Sequence, residues 1–104
     1  MVDLAALQTF IAVIDCGSII GAARARGYSP AAVSRQMSAL QARVGVRFFE
    51  PDGRGIRATS AAEEFAERAR ILVDEISLFE CYSKAFGRRV ARGVEVGSRT
   101  RGAS

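Results

Sequence analysis

A mainly α-helical fold is predicted for this 104-residue chain by three features. Apolar residues recur at helical spacing in consecutive short stretches that end at glycines. Between Gly27 and Met37 one helix stops and another starts within three residues, so two short helices meet at a tight turn. A turn-rich piece, Pro51-Asp52-Gly53-Arg54-Gly55, lies between two short apolar runs and precedes a long amphipathic stretch. Together they predict a winged helix-turn-helix, three helices plus a two-stranded wing, over residues 1–59. A long dimerising linker helix follows over 60–86, then a hinge and a disordered tail over 87–104.

The first helix covers about residues 4–15. Leu4, Leu7, Phe10, Ile11 and Ile14 repeat at helical spacing, Asp3 caps the start and Gly17 ends it. Ser18 caps a second helix over 19–26, whose Ala22-Ala23 pair lets another helix approach closely. Gly27 is a natural stop, and Tyr28 after it is expected to pack back on the core. Ser29 caps a third helix over 30–44, because a serine oxygen takes an otherwise unpaired backbone N–H. Pro30 suits the first helical position, where no N–H is needed. Val33, Met37, Leu40 and Val44 form one buried stripe, while Ala31, Ser34, Arg35 and Ser38 face the other way, with Gln41 near their edge. Gly45 stops the helix. The runs on either side of the turn-rich piece pair as a hairpin, the wing, with Arg54 at its tip.

Ser60-Ala61-Ala62-Glu63 fits a capping box for the long helix, with Thr59 as the competing cap. Phe65, Ala69, Leu72, Ile76, Phe79, Ser83 and Phe86 are spaced alternately by four and three, a heptad seam interrupted only by Ser83. A helix of about 40 Å, at ~1.5 Å per residue, outruns so small a head. A second copy of the chain is therefore expected to cover Phe65, Ala69, Leu72, Ile76, Phe79 and Phe86; folding back on the head is the alternative. Residues 93–97 alternate like a short strand with nothing left to pair with, and residues beyond about 90 are expected to be poorly ordered.

The net charge of +4 is uneven. Residues 23–57 carry seven arginines against two acids, whereas residues 58–86 carry six acids against three cations. The positive block coincides with the helix-turn-helix and the wing, where a phosphate-facing surface belongs. No apolar run approaches the ~20 residues that span a bilayer. Met1-Val2-Asp3 opens no signal-peptide pattern, so a cytoplasmic, nucleoid-associated protein is expected. Cys16 and Cys81 are isolated and there is no histidine, which argues against a zinc site or a disulfide framework. Two buried, reduced thiols are expected, with no metal and no cofactor. Enzyme readings fail on inventory. Without histidine the Ser-His and Cys-His pairs are excluded; Gly53-Arg54-Gly55 lacks the ending of a Walker loop; Glu63, Glu64 and Glu67 read as a solvated helix face.

The residue types point instead to double-stranded DNA. Ser29, Ala31, Ser34, Arg35 and Ser38 offer small or hydrogen-bonding groups on the open face of the third helix, and Pro30 is counted with them as a DNA-facing residue at its start. Small residues let the backbone sit close to base edges, and alanine can touch a thymine methyl. Arg35 forks onto guanine or holds a phosphate. Gln36 braces the helix or touches phosphate. The helix starts at Ser18 and Ser29 present free N–H groups to phosphate. Arg54 suits a narrow minor groove, whereas strand alternation points Arg57 elsewhere. A solvated polar face and an exposed turn arginine are the plainer readings of the same residues.

The pattern resembles the N-terminal DNA-binding domain of LysR-type transcriptional regulators over roughly residues 3–97. The resemblance rests on Leu4, Leu7, Phe10, Val13, Gly17-Ser18, Ala22-Ala23, Ser29, Ala32-Val33-Ser34-Arg35-Gln36 and Leu40. It continues through Gly45-Val46-Arg47, Phe49-Glu50, Gly53-Arg54-Gly55, Arg57 and Thr59-Ser60-Ala61. It implies antiparallel homodimerisation through the linker helix and a pseudo-palindromic promoter site. It also implies an effector domain that would follow, so no small-molecule effector site is expected within these residues. Three positions depart from the family pattern: Pro30 stands where glutamine is usual, Pro51 where a basic residue is common, and Ala62 where glycine is usual. Two other readings fit the composition: a module that heterodimerises with a full-length regulator, and a weakly specific DNA-coating protein.

Overall fold

The computed structural model describes residues 3–93. The elements are α1 (Leu4–Cys16), α2 (Ile19–Arg26), α3 (Pro30–Val44), β1 (Phe49–Asp52), β2 (Gly55–Ala58) and α4 (Ser60–Ala91). They divide into two compact units, one ending at Val73 and one beginning at Asp74, with α4 running through both.

Local chemistry sets the helix starts. Asp3 Oδ1 accepts from the Ala6 N–H at 2.8 Å, Ser18 Oγ from Gly21 at 2.9 Å, and Ser29 Oγ from Ala32 at 3.1 Å. Each satisfies a donor that the first helical turn leaves unpaired. For α4 the cap is Thr59, with Ser60 the first helical residue. The Thr59 hydroxyl accepts from the Ala62 N–H at 3.2 Å and donates to the Arg47 carbonyl at 2.9 Å, so one side chain both caps the helix and ties it to the approach to β1. Gly21 explains how α2 can follow α1 so closely. A Cβ there would lie 2.9 Å from Ser18 Oγ and 3.0 Å from Cys16 Cβ, so a side chain would displace the Ser18 cap and press on Cys16.

In the first unit α1, α2 and α3 enclose Phe10, Val13, Ala22, Ala23, Val33, Met37 and Leu40, with Ala62 and Ala66 of α4 in the same core. Phe10 is fully buried and meets three rings: Phe48 at 5.0 Å, Phe49 at 5.7 Å and Phe65 edge-on at 5.6 Å between centroids. Gln41 seats this cluster. Its Oε1 accepts from the Phe48 and Phe49 N–H groups at 2.7 and 3.0 Å, holding the chain where it leaves α3 for the wing. The wing is antiparallel, with Phe49 opposite Ala58 and Asp52 opposite Gly55, which leaves Gly53 and Arg54 as a two-residue loop.

Asp15, near the end of α1, takes both Arg70 guanidinium nitrogens, at 2.5 and 3.3 Å. The Arg70 hydrogen bond holds the Asp15 carboxyl below its ordinary value against the opposing effect of burial, with the Arg70 charge adding to the lowering. A lowered carboxyl pKa stabilises the fold above the unfolded-state value and loses that effect as pH falls through the folded-state value. Both side chains are about half exposed, so solvent screens the pair. Asp15→Asn is expected to cost only ~0.2–1 kcal/mol at pH 7. The difference from wild type should be smaller at about pH 2, below the ordinary carboxyl range, as the Asp15 carboxyl takes up its proton. Thermal melts at the two pH values check this; a constant difference would show that the carboxylate charge is not what matters.

Three expectations are corrected. The long helix does not stop at Gly87 but continues to Ala91, and Gly93 ends it with φ +82° and an N–H to the Val90 carbonyl. Arg88 and Arg89 lie in that last turn, where cations suit the helix dipole, and a glycine inside a helix costs only about 1 kcal/mol. Cys16 and Cys81 are exposed thiols, not buried ones. Tyr28 does not enter the core but lies exposed beside Arg26. Of the strand-like stretch over 93–97 only Gly93 is described; residues 94–104 lie outside the described residues. Among the described residues no helix is long and apolar enough to cross a membrane.

Candidate nucleic-acid interface

The site is built on α3. Ser29 adopts extended backbone (φ −81°, ψ 153°) and caps the helix, and Pro30 occupies its first turn. Val33, Met37 and Leu40 are buried, which fixes the helix's rotation. The same rotation leaves Ala31, Ser34, Arg35 and Ser38 exposed on the opposite side. Gln36 sits at the edge, half-buried, and its Oε1 is buried without a hydrogen-bond partner among the described residues.

The structure sorts the expected residues into two places. Arg35 and Gln36 line an open groove of about 490 Å³ with Tyr28, Ala32 and Ala39. Ser18 and Arg54 line another of about 240 Å³ with Ile19, Ile20, Gly55 and Ile56, so the wing tip stands beside the start of α2. Ser18 spends its oxygen as the α2 cap but keeps a hydroxyl proton to donate outward.

The arginines of the positive block do different work. Arg57 pairs with Glu50, its cross-strand neighbour, at 3.0 Å, as strand alternation implies. Arg26 is turned inward: Nε donates to Thr9 Oγ1 at 3.3 Å and Nη2 to Gln8 Oε1 at 3.2 Å, tying α2 to α1. Arg24, Arg35, Arg43, Arg47 and Arg54 are exposed and make no ion pair among the described residues. Five uncompensated guanidinium groups around α3 and the wing form a surface suited to a polyanion.

Sequence reasoning missed the parts played by Gln41, Arg26 and Tyr28. No local pattern marks Gln41, whose partners lie seven and eight residues on. Arg26 counted as surface charge because Thr9, its partner, is seventeen residues away. On α4, Ala69 is buried and Phe65 packs on Phe10 and Phe48, so both serve the core of the first unit. Ile76 is half-buried, while Leu72, Phe79 and Phe86 are exposed. Ile71, Leu78, Tyr82 and Val90, absent from the seam read in the sequence, are exposed apolar residues as well.

Residues 4–63 match the model of the bacterial regulatory helix-turn-helix protein, lysR family. The chain is 38% identical over 82 residues to the HTH-type transcriptional regulator ClcR of Pseudomonas putida, covering 79% of this chain and 28% of ClcR. It is 40% identical over 68 residues to the regulator TcbR of Pseudomonas sp. strain P51, covering 65% of this chain and 23% of TcbR. It thus spans about a quarter of the length of these curated relatives. Among solved structures, the CbnR DNA-binding domain in complex with DNA superposes with a TM-score of 0.75 at 34% identity, covering 83% of this chain and 99% of that one. The BenM DNA-binding domain on its catB site 1 DNA shares the fold, with a TM-score of 0.77 at 23% identity, covering 83% of this chain and 97% of that one.

Proposed function

The chain belongs to the lysR family of bacterial regulatory helix-turn-helix proteins and carries its DNA-binding domain; from that premise we propose that it reads a pseudo-palindromic promoter site as a homodimer. The observation that carries this reading is the open face of α3, where Ser34, Arg35 and Ser38 are exposed opposite a buried stripe and Arg35 has no ion-pair partner among the described residues. Arg24, Arg43 and Arg47 supply the sequence-independent attraction to phosphate. Ala31, Ser34, Arg35 and Ser38 then meet base edges in the major groove, while Arg54 at the wing tip enters the minor groove. Ser18 and Ser29 anchor the helix starts on the backbone. Such a protein works in the cytoplasm, with the chromosome.

Dimerisation falls to the apolar face of α4. In the second unit Leu78 is 70% exposed and Phe79 64%, with Tyr82, Phe86 and Val90 also open. Large apolar groups gathered on one helix favour a partner helix over water. A second copy supplies the two-fold symmetry that a pseudo-palindrome needs.

The test is a salt series of duplex binding, using a sequence selected from a randomised pool and its scrambled version. Wild type is expected to prefer the selected duplex by ~10³ or more. Phe79→Asp is expected to halve the mass in solution and to lose most of that preference, because a lone head contacts one half-site. Equal affinity for both duplexes would remove the specific-regulator reading. An unchanged dimer mass for Phe79→Asp would remove α4 as the interface.

A further inference from the structure

We propose that Tyr28 is a DNA-backbone contact and that Arg26 is the residue that positions it, an inference that rests on the reading of α3 as the element that enters the duplex. Arg26 lies in the last turn of α2 and is half-buried. Its guanidinium is anchored on α1 through the fully buried Thr9 and through Gln8. Both partners are neutral, and no carboxylate pairs with Arg26 among the described residues. The protein therefore holds a partly desolvated positive charge at the helix-turn-helix corner without compensating it.

The same guanidinium fixes Tyr28. Its carbon lies 5.4 Å from the Tyr28 ring centroid, and Nη2 donates a long hydrogen bond of 3.5 Å to the phenol oxygen. The Tyr28 backbone is held too, its N–H donating to the Ala23 carbonyl at 2.9 Å. A side chain held at its backbone and touched at its hydroxyl, yet left open to solvent, does not fill the core. It stands immediately before the α3 cap and lines one groove with Ala32, Arg35, Gln36 and Ala39, the side of α3 that carries Arg35.

The chemistry of the hydroxyl follows. A phenol oxygen that accepts from a guanidinium still has its own proton to give. No protein acceptor takes that proton among the described residues. A phosphate oxygen is the acceptor that an uncompensated cation nearby favours, and tyrosine is a common donor to the DNA backbone. Such a contact sets how α3 sits in the groove without reading sequence.

The test uses the full 104-residue chain, the selected duplex and its scrambled version, with melting temperatures measured in parallel. Tyr28→Phe keeps the ring and removes the hydroxyl. It is expected to weaken both duplexes by a similar factor, about three- to tenfold, with the melting temperature retained. Arg26→Lys keeps the charge but loses the fork; its binding loss is expected in the wild-type background and not in the Tyr28→Phe background. Tyr28→Phe binding as wild type does, or weakening only the selected duplex, would overturn the backbone contact. Equal Arg26→Lys losses in both backgrounds would overturn the positioning role. Arg35→Ala separates the two readings: a loss there with Tyr28→Phe unaffected leaves the α3 reading standing, and no loss in either removes both.

Discussion

Arg35→Ala is expected to weaken binding to the selected duplex by about tenfold to a hundredfold, and binding to a scrambled duplex much less. Arg35 stands on the side of α3 that the buried Val33, Met37 and Leu40 turn outward. Neighbouring Ala31, Ser34 and Ser38 are small, so the helix can come near enough for a guanidinium to fork onto a guanine edge. Arg57 makes the contrast, since its charge is already paired with Glu50 across the wing. Titration of both duplexes at one salt concentration decides the matter. Equal losses on the two would mean that Arg35 holds phosphate and that sequence is read elsewhere.

Phe10→Ala is expected to cost ~3–5 kcal/mol of unfolding free energy. That is a large share of the ~5–15 kcal/mol that holds a typical domain. Phe10 of α1 is the shared member of ring contacts with Phe48, Phe49 and Phe65, so its removal strips the wing and α4 of their common neighbour on α1. The cavity would lie under the residues that set the rotation of α3, so DNA affinity should fall along with stability. Denaturant unfolding monitored by circular dichroism measures the cost, with the slope showing whether the cooperative unit is unchanged. A loss below about 1 kcal/mol would show that the ring cluster is not what joins these elements.

The helix starts were legible because capping is chemistry between residues three apart, as at Asp3, Ser18 and Ser29. The open and buried sides of α3 were legible because a period of 3.6 residues separates Val33 and Met37 from Ser34 and Arg35. The wing was legible from its glycines and apolar flanks, and the fate of Arg57 from strand alternation. What failed was whatever depends on a distant partner. Arg26 and Tyr28 look like a surface charge and a core ring until Gln8 and Thr9 arrive from α1. Gly87 and Gly93 are equally plausible stops, and only the second adopts the left-handed backbone. A heptad count on α4 drifts by about 20° per repeat against a straight helix. The seam joined Phe65 and Ala69, which pack on the head, to Phe79 and Phe86, which are exposed, because spacing alone does not say which turns of a helix the head covers.

The central claim is that the exposed side of α3 lies in the major groove of two half-sites. Dimethyl sulfate interference on the selected duplex tests it most directly, because the reagent marks guanine N7 in the major groove and adenine N3 in the minor groove. The account expects guanine N7 methylation to block wild-type binding in two clusters, one helical turn or a multiple of it apart. It expects one guanine in each cluster to lose its effect in Arg35→Ala. Binding that tolerates methylation at every guanine N7 in the site, while adenine N3 methylation alone abolishes it, would contradict the claim.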